Sequence, residues 1–139
     1  MKNKFATLMA ATLLLASTPA MAGPEMLNVK LVKLSSRGGV TPGLENVAAI
    51  IQRNLPYAGC ELVDQKACVL PANATLKFKG NYSLVCTSKA EGLVVTILKN
   101  DKLMLSTAVN LKDSTPVMLG GFVGGAGGSK HVFVLQKSP

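Results

Sequence analysis

The chain has 139 residues, 15 basic against 7 acidic (formal net charge +8), 48% hydrophobic and 4% aromatic residues, and no tryptophan. The lysines form no run and few rings interleave with them, which argues against a nucleic-acid surface, where charge gathers on one face and aromatics stack on bases. One histidine and three cysteines are too few, and wrongly spaced, for a zinc centre, so neither metal nor cofactor is expected.

Lys2 and Lys4 open the chain, an apolar run from Leu8 to Ala16 follows, and Ala20-Met21-Ala22 makes a small-x-small pattern before Gly23. That is the layout of a secretory signal peptide. Residues 1–22 are therefore expected to be a cleaved leader and residues 23–139 a single β-rich domain carrying 13 basic and 7 acidic residues. The apolar run is shorter than the roughly 20 residues of a membrane span, and no later stretch reaches that length, so no transmembrane segment is expected after cleavage. A short, Lys-led leader with no cysteine at its cleavage site suggests a bacterial product, periplasmic or secreted.

Apolar residues at alternate positions, Leu27, Val29 and Leu31, predict a first strand over Leu27 to Leu34. A helix is predicted next, with Thr41 as N-cap and Pro42 at its first position. Its apolar stripe is Leu44, Val47, Ala48, Ile51 and Leu55, and Pro56 stops it. Everything later reads as strand: a short pair, Glu61 to Val63 and Ala67 to Leu70, then Thr75 to Lys79, Tyr82 to Thr87 and Leu93 to Leu98. Leu103 to Leu111, Val117 to Val123 and His131 to Gln136 follow. Strands at this spacing predict a mainly β, α+β fold: an antiparallel sandwich or small barrel with one helix packed on it near the N-terminus.

Cys60, Cys68 and Cys86 would lie in an oxidising compartment. If the chain folds back near Asp64, Cys60 and Cys68 face each other across a tight hairpin, and that disulfide is the first expectation, with Cys86 a buried thiol. The rival pairs Cys68 with Cys86 and leaves Cys60 over; no bridge at all is the third possibility.

The glycine-rich stretch Gly120, Gly121, Phe122, Gly124, Gly125, Gly127, Gly128, Ser129 and Lys130 does not fit a phosphate-binding loop, because Ser129 precedes Lys130 and a strand follows rather than a helix. It reads as a long hairpin loop and as the candidate partner-binding segment. His131 stands alone as an edge or surface histidine. The seven acids fall mostly in turns or on exposed faces, and nothing places two across a cleft as sugar hydrolysis needs. No catalytic residue is assigned and no enzyme is expected.

Pro116-Val117-Met118-Leu119-Gly120-Gly121-Phe122, with the strand before it and Val132-Phe133-Val134-Leu135 after it, resembles a sheet motif of the secretins, the outer-membrane channels of secretion and type IV pilus systems. The likeness covers residues 103–136. The chain is far shorter than a secretin and lacks the long amphipathic hairpins that line a pore. The resemblance thus implies a small exported module that shares one motif and works beside an envelope assembly. The expected function is a non-enzymatic interaction or structural module whose partner is another envelope protein, bound by a sheet edge or the glycine-rich loop. The alternative is a small periplasmic ligand-binding or inhibitor protein. The oligomeric state is left open.

Overall fold

Burial of one strand on both faces organises the molecule. In β1 (Met26–Ser35), Leu27, Val29 and Leu31 are fully buried on one face and Val32 and Leu34 on the other. Such a strand belongs in the middle of a layer, and β1 is flanked by two antiparallel neighbours, β2 (Gly59–Val69) and β8 (Lys130–Ser138). The structure is a computed structural model that describes residues 25–111, 115–123 and 128–138; the expected leader lies outside them.

β7 (Val117–Val123) completes the first sheet, in the order β2-β1-β8-β7. The second is a meander of β3 (Asn73–Phe78), β4 (Tyr82–Lys89), β5 (Gly92–Lys99) and β6 (Lys102–Val109). All pairings within both sheets are antiparallel. Among the described residues the fold is the expected antiparallel sandwich with one helix; of the two closures the sequence left open, the barrel is not formed by them.

The main core lies between the sheets, where Leu27, Val29, Leu31, Phe133 and Leu135 meet Tyr82, Leu84, Cys86, Leu93, Val95 and Ile97. Phe133 sits at its centre, edge-on to Phe78 at 5.2 Å and to Tyr82 at 5.4 Å between ring centroids. A smaller core covers the outer face of the first sheet, where α1 (Glu45–Asn54) lays Val47, Ala48 and Ile51, with Leu44 just before it, over Val32, Leu34, Val132 and Val134. The predicted stripe is correct up to Ile51, whereas Leu55 follows the last helical turn and is 47% exposed.

Two local predictions need correction. The helix starts at Glu45, with no side-chain cap at Leu44. Thr41 is engaged by the strand edge instead. Its hydroxyl accepts the Leu62 N–H at 3.0 Å, and its own N–H donates to the Cys60 carbonyl at 2.9 Å. The second correction concerns the pair of strands predicted between Glu61 and Leu70. β2 runs unbroken from Gly59 to Val69, because β1 offers a long edge whose ladder outweighs a local turn at Asp64.

The Cys60–Cys68 disulfide fails with that hairpin. The two residues are eight positions apart on one strand, about 26 Å at ~3.3 Å per residue, whereas bridged Cα atoms lie within about 7 Å. They also face opposite ways. Leu31 pairs with Asp64 and Val32 with Leu62, so Val63 is an extra, bulged residue. A bulge inverts which face later residues occupy. Cys60 accordingly joins the core under the helix, and Cys68 packs against the core between the sheets. All three cysteines are free thiols.

The position of Phe133 gives a direct test of this packing. Phe133→Ala removes a fully buried ring and leaves a cavity between the sheets, at a cost of about 3–5 kcal/mol. In urea melts the transition midpoint should fall accordingly, with an unchanged slope.

Candidate functional site

The four sheet edges differ in how far they are closed. Along the first half of β2, Val40 forms a parallel bridge to Cys60, the Cys60 N–H donates to the Gly39 carbonyl, and Thr41 takes the Leu62 N–H. Farther along, the Asp64 carboxylate accepts the Lys79 N–H at 3.0 Å, joining β2 to the turn after β3, and the Gln65 N–H at 2.8 Å. Burial opposes ionisation of Asp64, but those two amide donors and the charges of Lys66 and Lys79 outweigh it and hold its carboxyl below the usual range. β2 and β3 thus form a tied seam along one side of the sandwich.

β7 and β6 are the edges away from that seam. On β7 the register slips between Gly120 and Phe122, and Gly120 and Gly121 take φ of +124° and +104°. A bulge of this kind bends an edge out of line for a further strand. β6 is the least protected. From Leu103 to Leu111 it carries no charge, proline or glycine, Leu103 is 65% exposed and Met104 42%. Its register slips once, at Met104, and Leu105 to Val109 pair regularly with β5. Sequence periodicity does not reveal this exposure of Leu103, because alternation shows which residues share a face but not whether another layer covers it.

The glycine-rich segment is shorter as a loop than predicted. Gly120, Gly121 and Phe122 belong to β7, and Phe122 packs beside Tyr82 at 6.2 Å between centroids. Ser129 is buried and Lys130 opens β8. Gly128 has φ +75°, and Gly124, Gly125 and Gly127 lie outside the described residues. Gly120, Gly121 and Lys130 do share one feature: with Leu34, Ile51, Tyr57 and Met118 they line an apolar groove of about 320 Å³ between α1 and the β7–β8 hairpin. A wider, polar hollow of about 400 Å³ lies at the hairpin ends of the second sheet, among Lys77, Asn81, Tyr82 and Asn100.

His131 is no surface histidine. It is half-buried on β8, and its Nδ1 lies 3.0 Å from the Tyr82 hydroxyl of β4, so the pair ties the sheets together at one end of the core. The Tyr82 ring also carries Lys99 Nζ 4.9 Å from its centroid. Burial lowers the pKa of His131, and the positive charges of Lys99 and Lys33 lower it further. When the neutral ring carries its proton on Nε2, Nδ1 accepts the Tyr82 O–H; protonation would put a third positive charge beside the two lysines. Among the described residues no group of three His, Cys, Asp or Glu side chains could hold a metal ion. Comparison with protein-family models, curated proteins and solved structures gives no match.

A pH dependence of stability follows from His131. The unfolded chain binds a proton near pH 6.5 and the folded chain only at lower pH, so between these values the unfolded state holds more protons and stability falls as pH drops. The melting temperature should decline between pH 7 and pH 5, and His131→Gln should flatten that slope. Asp64 acts in a separate, more acidic window: its contribution is present above the ordinary carboxylate pKa and is lost as pH falls through its lowered one.

Proposed function

We propose that this protein is an exported, non-enzymatic interaction module that binds an extended segment of another envelope protein along the free edge of β6. The observation that carries this reading is the difference between edges: β2 is bridged, β3 is short, and β7, though Val123 is 67% exposed, is bent by the bulge at Gly120–Gly121, while β6, bulged only near its start at Met104, offers an uncharged run that pairs regularly from Leu105 to Val109 and exposes Leu103. Strand addition draws affinity from backbone hydrogen bonds and specificity from alternate side chains. Exposed edges of soluble proteins are ordinarily guarded by lysine, proline or a cover, and the only charge on β6 is Lys102 at its first position. The leader-like start of the chain supports the compartment. The secretin-like stretch, which runs through β6, β7 and β8, supports a partner in a secretion or pilus assembly.

The test places a photo-cross-linking residue at Ala108 on β6 and, separately, at Gly124, in cells that export the protein. Cross-links from Ala108 to one contiguous segment of a single envelope protein are expected. Leu103→Lys combined with Ala108→Lys should weaken capture of that protein about tenfold or more, since charge on an edge opposes strand pairing. Both positions are exposed, so the melting temperature should hold. Deleting Gly124–Gly128 should leave capture intact. Full capture by the double-lysine variant, or cross-links only from Gly124, would overturn the β6 reading.

The groove between α1 and the β7–β8 hairpin favours a second reading, a binding protein for a small apolar ligand with an anionic group set against Lys130. A medium-chain fatty acid should then raise the melting temperature saturably, and Lys130→Ala should weaken that effect. The absence of any shift would remove this reading.

A further inference from the structure

The chain turns from β2 into β3 at Leu70 to Ala72, and that corner sets two cysteines against the same core. Cys68 pairs with Leu27 across β1 and β2. Residues paired in an antiparallel ladder share a face, and Leu27 is fully buried between the sheets. The Val63 bulge is what turns Cys68 to this face. Cys86, on β4 between Ala74 and Val95, points inward with Tyr82 and Leu84 and is fully buried. Cys68 packs against the cluster that contains Cys86. Hydrogen bonds fix the corner beyond them: the Ala72 N–H donates to the Ser88 hydroxyl at 2.8 Å, and the Ser88 N–H to the Ala72 carbonyl at 2.8 Å. Cys60 is separated from both by the sheet, under α1.

We infer that Cys68 and Cys86 are a disulfide-forming pair, and that oxidation joins the two sheets covalently at the β2–β3 corner. Burial raises the pKa of both thiols, that of Cys86 to about 12 with Cys68 adding to the rise. Both thiols face the same core from strands that converge at this corner, where Ala72 and Ser88 are paired. The partly exposed Cys68 is the thiol that meets the oxidant. With a small-molecule disulfide such as oxidised glutathione, the Cys68 thiolate attacks one sulfur, the glutathione S–S bond breaks, and one glutathione leaves as thiolate. Cys86 then attacks the Cys68 sulfur as its thiolate, and the second glutathione leaves and carries away the proton that Cys86 gives up. Two protein thiols become one S–S bond, and the two electrons pass to the oxidant. Because the second attack needs the Cys86 thiolate, bridge formation should accelerate with pH.

The full chain is incubated, folded, with oxidised glutathione at pH 8, and its thiols are then counted in denaturant. The count should fall from three to one. Peptide mapping should show one link, Cys68 to Cys86, and the melting temperature should rise by about 10 °C. Cys60→Ala should bridge as the unaltered chain does. Cys86→Ala should stop with one glutathione on Cys68, and the map of the unaltered chain decides the matter even if that variant folds poorly. Three thiols remaining, glutathione retained on Cys68 of the unaltered chain, or a link that includes Cys60 would overturn the proposal. None of these readouts depends on where the protein is delivered or on what it binds.

Discussion

The constraint on which the rest depends is that the first sheet is covered on both faces where β1 and β8 pass under α1. Its inner face meets the second sheet and its outer face meets α1, so β1 and β8 carry apolar residues in both phases of the strand period. A sheet with a single covered face would leave Val32, Leu34, Val132 and Val134 in water, at about 25 cal/mol per Å² of apolar surface. A helix of ten residues would be marginal by itself; α1 (Glu45–Asn54) is held by that surface. Layer and cover stabilise each other, and neither is expected to survive the loss of the other.

Single residues then give the sandwich its asymmetry. Asp64, Thr41 and the Val63 bulge all act on β2, and together they make one side a closed seam. The bulge has the widest reach, because it decides which core each later residue of β2 enters. Without it Cys68 would share a face with Cys60, beneath the helix side of the sheet. On the opposite side, Gly120 and Gly121 bend β7, and β6 keeps an accessible ladder. The open edge thus results from where chain irregularities fall, in a sheet pair whose strands are otherwise similar.

Much of the strand order is legible in the sequence, and the reasons for success and failure differ. Tyr82, Leu84 and Cys86, or Leu93, Val95 and Ile97, alternate so regularly that a strand with one inward face is the only economical reading. The run at β5 is apolar on both faces, and β5 is indeed interior to its sheet. β2 reads wrongly as two strands because Asp64-Gln65-Lys66 carries turn chemistry, whereas the ladder that overrides it is supplied by β1, some thirty residues earlier. Thr41-Pro42 misleads for a related reason: a threonine before a proline fits a helix cap, but the strand edge that takes its hydroxyl is distant in sequence. The Tyr82–His131 contact joins residues 49 positions apart, beyond any local pattern, and the openness of β6 depends on the absence of a neighbour.

The seam and the open edge are linked by what strand addition requires. A partner strand that pairs with a mobile edge must order that edge as well as itself, and the ordering cost is subtracted from the affinity. β6 is held by β5, β5 by β4, and β4 is fixed to the first sheet through Tyr82 to His131, while at its other end Ser88 pairs with Ala72 at the corner that leads from β2 into β3. Both anchors lie on the inner strand of the meander, so the far edge is presented by a sheet whose own freedom has already been removed. A bond between Cys68 and Cys86 would fall beside the second anchor and strengthen the same restraint. The closed side of the molecule is, on this view, the part that makes the open side a rigid template.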